Sequence, residues 1–149
     1  MFAAMTTTLR QAVSHAQQQA RQLNQEFVGT EHLVLGVLQT DGCEAVRALL
    51  RQNLDPQRLH RALLAQLRRG KEPPVISGDL PFSAKAQGIF NNAIVTAQSM
   101  RQSAISTRLL LLALLEESDT LVAQVLRGSG ADGDSLSTQL AAKPEESEA

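Results

Sequence analysis

Shifted by 77 residues along its own length, this chain overlays itself without a gap. Ala16, Ala20, Thr30, Leu33, Leu35, Leu38, Leu49, Asp55, Leu59 and Leu63 fall on Ala93, Ala97, Thr107, Leu110, Leu112, Leu115, Leu126, Asp132, Leu136 and Leu140. Between these identities most positions keep physical type: Val13 meets Phe90, Leu23 meets Met100, Val28 meets Ile105 and Gly36 meets Ala113. One unit has been written twice. A unit that cannot bury its apolar face alone completes a core by packing on its twin.

The period inside each unit is helical. Leu9, Ala12, Val13, Ala16, Ala20 and Leu23 recur at three and four residues from Thr6 to about Asn24, with Gln and Arg on the opposite face. Thr30, read as an N-cap, precedes Glu31 and the nearly continuous apolar run from Leu33 to Leu38, which predicts a buried helix. A third helix opens near Gly42 and stops near Asn53. Asp55 as N-cap with Pro56 behind it starts a fourth. The second unit repeats this order, with Ser83, Thr107 and Asp132 as candidate caps and a weaker last helix after Gly128, Gly130 and Gly133. The expected division is a first repeat over 1–69, a linker over 70–82, a second repeat over 83–142 and a disordered acidic tail over 143–149.

Composition excludes several functions. With 14 basic and 15 acidic residues there is no bulk charge to draw nucleic acid or anionic lipid, and four Phe without Tyr or Trp offer little for base stacking. The single cysteine, Cys43, rules out an internal disulfide or a cysteine-rich zinc site. Beside Gly42 at a helix start its pKa has reason to fall, but no histidine neighbours it in sequence, and a structural thiol is the simpler reading. His15, His32 and His60 lie on different helices without carboxylate partners at ligand spacing, so no metal site is expected; His32 is read as packed, with a ring nitrogen on a backbone group. No signal sequence or membrane-length apolar run is seen, and a cytoplasmic protein is expected.

Gly29-Thr30-Glu31-His32 followed by a Leu-rich helix, duplicated and preceded by Met1-Phe2 in one half and by Phe82-Ser83-Ala84-Lys85 in the other, resembles the Clp repeat domain of Clp/Hsp100 AAA+ unfoldases, ClpC type. The resemblance covers residues 1 to about 142. It implies an all-α bundle of eight helices, two tandem four-helix repeats about a pseudo-twofold axis, and the gapless offset of matched apolar positions places Leu33, Leu35, Leu38, Leu110, Leu112 and Leu115 in the core. It also implies a non-catalytic module that docks client or adaptor proteins for a Clp ATPase. The alternative is a stand-alone subunit that clamps the Clp protease core. No nucleotide or other cofactor is expected, since G-x-x-x-x-G-K-[ST] is absent and Gly70-Lys71 runs into Glu72.

Domains of this type bind phosphorylated arginine through the Glu of the motif and through hydroxyl and basic groups at helix starts. By position the resemblance nominates Glu31 and Thr30, with Thr6, Thr7, Ser83 and Lys85. The second repeat departs, placing Arg108 where the motif has Glu; there Arg108 repels a guanidinium and is open to a phosphate or carboxylate. Phe2 and Phe82 are nominated as a hydrophobic docking patch. Residue by residue, a plainer reading stands beside each: Glu31 favours a helix start, the hydroxyls cap helices, and the two aromatics staple them.

Overall fold

The computed structural model describes residues 5–117 and 121–149, and these form eight α-helices: α1 Thr7–Gln22, α2 Thr30–Leu38, α3 Glu44–Arg51, α4 Pro56–Ala65, α5 Ala84–Ser99, α6 Thr107–Glu116, α7 Leu121–Gly128 and α8 Gly133–Ala141. Each helix of the second set starts 77 residues after its counterpart in the first. Phe2 lies outside the described residues.

Local chemistry sets these boundaries. Thr6 and Ser83 cap α1 and α5 with their hydroxyls, accepting from Leu9 N at 3.0 Å and Ala86 N at 3.1 Å. Asp55 and Asp132 do the same for α4 and α8. Thr30 and Thr107 are not caps, contrary to expectation: each is the first helical residue, and Gly29 and Ser106 hold the cap positions. Ser106 Oγ accepts from Leu109 N, while the Gly29 N–H donates to His32 Nδ1 at 2.8 Å, so the histidine does reach back to a backbone group. Left-handed residues end the helices at matched positions: Asn24 (φ 54) and Arg101 (φ 56), then Asn53 (φ 59) and Gly130 (φ 90).

Helices α2 and α6 run through the middle. Every residue of α2 except Glu31 is buried, as is α6 from Thr107 to Leu114. Gly36 lets α2 cross α1 closely, because a Cβ there would sit 2.2 Å from Ala12 O. Leu33, Leu35, Leu38, Leu110 and Leu112 are core residues as expected, whereas Leu115, near the end of α6, is only partly buried against it.

The halves pair crosswise. Met5 bridges to Ile105 and Phe82 to Val28, each in parallel, with Thr6 N donating to Ile105 O at 3.0 Å and Ser83 N to Val28 O at 2.9 Å. Exchanging each residue for its counterpart 77 positions away converts one contact into the other. The start of each repeat is therefore sewn to the middle of its twin. Between them the chain is fixed along α1, where Gln17 both donates to Leu80 O and accepts from Leu80 N, and Arg21 donates to Ile76 O and Gly78 O. Residues 143–149, expected to be disordered, lie against the starts of α1, α3 and α6 through the polar contacts described next.

Candidate functional site

Crosswise pairing divides the nominated residues between two poles. At one, the start of α2 with Thr30 and Glu31 adjoins the start of α5 with Ser83 and Lys85, through the Val28–Phe82 contact. At the other, Thr6 and Thr7 at the start of α1 adjoin Thr107 and Arg108 at the start of α6. No single site contains all six nominated residues. Their spacing along the chain could not reveal this, because each pole joins helix starts from both repeats.

At the α2/α5 pole Glu31 is half-buried, and its carboxylate accepts the Thr30 hydroxyl at 3.2 Å. Lys85 is exposed. His32 lies beneath, buried, and its burial holds the imidazole below its usual pKa against the opposing pull of Glu31. The ring is held neutral at Nδ1, which accepts the Gly29 N–H. Phe82 is half-buried, with its ring centroid 5.0 Å from that of the fully buried Phe90, so it closes the start of its own repeat. Its outer side borders a groove with Met5, Val13 and Leu80.

At the α1/α6 pole the charges are rearranged. Arg108 does not face outward to meet a phosphate or carboxylate of a ligand. It is 4% exposed, its Nε pairs with Glu44 Oε1 at 3.1 Å, and its Nη1 donates to Leu140 O at 2.7 Å. Glu44, at the start of α3, is equally buried. The ligand-like group is Glu148. Its Oε2 accepts from Thr6 Oγ1 at 2.6 Å and Thr107 N at 3.0 Å, and its Oε1 accepts from Thr107 Oγ1 at 2.6 Å and Glu44 N at 3.0 Å. Three helix starts thus converge on one carboxylate. Thr107 Oγ1 also accepts from Ala45 N at 3.1 Å, which fixes its proton toward Glu148. Glu44 and Glu148 were not nominated from the sequence. An acid in a first turn is commonplace, and an acidic tail reads as solvated.

Cys43 caps α3, accepting from Val46 N at 3.4 Å, and burial pushes its thiol up, opposite to what its place at a helix start suggested. Among the described residues no three His, Cys, Asp or Glu side chains cluster as metal ligands, and no helix is long and apolar enough to cross a membrane.

The fold has counterparts among known proteins. Residues 4–142 match the Clp repeat (R) N-terminal domain, and the chain belongs to that family. It is 28% identical over 126 residues to the ATP-dependent Clp protease ATP-binding subunit ClpA homolog of Trieres chinensis, covering 85% of this chain and 14% of that one. It is 27% identical over 140 residues to the chloroplastic chaperone protein ClpC1 of Oryza sativa subsp. japonica, covering 94% of this chain and 15% of that one. The chain therefore spans about one seventh of the length of these relatives. Among solved structures, the N-terminal domain of ClpD from Arabidopsis thaliana superposes with a TM-score of 0.75 at 22% identity, covering 94% of each chain. A ClpV N-domain solved in complex with a VipB peptide superposes with a TM-score of 0.73 at 15% identity, covering 93% of this chain and 86% of that one. These likenesses establish the shared all-α fold.

Proposed function

We propose that this chain is a non-catalytic recognition domain that binds client or adaptor proteins for a Clp unfoldase–protease in the cytoplasm, with phosphoarginine as the group read at the α2/α5 pole. The supporting observation is the junction of two helix starts, Thr30 with Glu31 and Ser83 with Lys85, beside a half-buried carboxylate. A carboxylate pairs bidentately with a guanidinium, and helix-start N–H groups with a nearby lysine suit the attached phosphate. Peptide binding by a fold of this kind has a precedent in the ClpV N-domain complex with a VipB peptide. The lack of a P-loop motif in the sequence favours a module that delivers partners without itself turning over nucleotide.

Titrating phosphoarginine while following backbone amides tests the reading. Thr30 and Glu31 are expected to shift more than Thr107 and Arg108, and Glu31→Ala is expected to abolish the response. Shifts that are absent, or that survive the substitution, would remove phosphoarginine from the proposal. Purification from cells then separates partners: mixed clients with a Clp ATPase support recognition, whereas stoichiometric protease subunits favour a clamp on the protease core.

A further inference from the structure

We infer that the segment 143–149 is a tethered ligand of its own domain, and that the cradle it fills at the α1/α6 pole is a carboxylate-binding site which the tail closes. This goes beyond the reading of the α2/α5 pole and stands without it.

The seat is built for a carboxylate on a peptide. Glu148 takes two backbone N–H groups and two hydroxyls, all four donors coming from helix starts. Its own N–H donates to Glu44 Oε2 at 2.7 Å, so the main chain at the same residue is read as well as the side chain. On either side the backbone is held again, by Arg47 Nη1 on Glu146 O at 2.7 Å and by Thr8 N on Ala149 O at 2.9 Å. Joint recognition of the main chain and a side chain is how folded domains bind peptides.

The charge arrangement explains the departure at Arg108. Glu44 and Glu148 bring two carboxylates together, a repulsive pair unless a cation is fixed beside them. Arg108 supplies that cation on Glu44 and is itself anchored on Leu140 O. A glutamate at this position, as in the first repeat, would put three acids in one place and expel the tail. Arg108 and the tail therefore belong to one device.

The hold is exchangeable. Lys143, Glu145, Glu146, Ser147 and Ala149 are exposed and, of the segment's apolar residues, only Pro144 is half-buried, so polar bonds chiefly keep it seated. Such contacts weaken with salt and compete with other anions. While seated, the tail denies this pole to any external acidic group and leaves the α2/α5 pole as the open one.

The full chain carrying Glu148→Gln or Glu148→Lys provides the test, read at the amides of Thr107 and Glu44. With Gln, exchange of both amides is expected to accelerate about tenfold, the loss of roughly one charge-assisted hydrogen bond; with Lys, both are expected to reach the released state. Acetyl-Pro-Glu-Glu-Ser-Glu-Ala, added to the Lys variant, should then restore the parent shifts at Thr107 and Glu44. The peptide with Gln for its last Glu should not. Because tethering supplies an effective concentration of about millimolar, the titration must extend into that range. Unchanged amides in both variants would overturn the inference, as would a peptide that leaves the opened cradle unaltered. The response of Thr30 and Glu31 to phosphoarginine, followed in the same samples, reports separately on the other pole.

Discussion

The two poles are the same place in a duplicated chain, yet one ends in an outward acid and the other in an inward base. Glu31 and Arg108 occupy equivalent positions, one residue inside equivalent helices. At the α2/α5 pole the acid stays half-exposed with a local hydroxyl as partner. At the α1/α6 pole the base is buried on Glu44, and the acid arrives from 40 residues further along the chain. The duplication provides two equivalent frames, and different residues at matched positions give them different occupants. Chemical equivalence does not follow from structural equivalence.

The largest test of that contrast is removal of the two charges in turn. Arg108→Met should destabilise the fold by about 3–5 kcal/mol, since it strands Glu44 in the interior, while Glu31→Ala should cost no more than about 1 kcal/mol. Chemical denaturation of both variants decides it; comparable losses would mean that the poles are not differentiated as described. Next in size is the shared core. Leu35→Ala and Leu112→Ala, at equivalent buried sites, should each cost about 2–5 kcal/mol. A trivial effect of either would show that the two central helices are not equally buried.

Gly36 and Ala113 sharpen the comparison further. Gly36→Ala should lose about 1–3 kcal/mol despite the better helix propensity of alanine, because its Cβ would meet the backbone of Ala12 and Ala16. Ala113→Gly should lose about 1 kcal/mol, for the opposite reason of backbone freedom. If Gly36→Ala stabilises, α1 and α2 have room that the close crossing denies.

The smallest effect is pH dependence. His32 is depressed below 6.5, chiefly by burial, and its counterpart Leu109 does not titrate. The stability it contributes is complete above the unfolded value of about 6.5 and is lost as pH falls below it, because the unfolded chain takes up a proton that the folded one refuses. The slope cannot exceed about 1.4 kcal/mol per pH unit for one group. His32→Leu should flatten the part of the pH–stability curve just below 6.5, leaving what His60, also depressed by burial, contributes. A slope unchanged by the substitution would assign the dependence elsewhere.

The helices were legible because their determinants are local. The apolar spacing of Leu9, Ala12 and Ala16, the Asp55-Pro56 start and the Asn53 stop each act within a turn or two of themselves. The caps at Thr30 and Thr107 were misplaced by one residue because a glycine backbone bonded to a histidine ring, and a serine just upstream, compete for the same role. The candidate site was legible only in part. Glu31, Ser83 and Lys85 were found as helix-start residues, but their grouping was hidden by the exchange of segments between repeats.

Alone, the sequence determined two copies of a four-helix unit and the apolar faces that join them, since each of these is carried by neighbours in the chain. Tertiary structure decided which helix starts meet, that Arg108 turns inward to Glu44, and that Glu148 reaches three helices at once. Hydrogen bonds and ion pairs between residues more than 40 positions apart leave no periodic trace along a chain, and only packing brings their partners within reach.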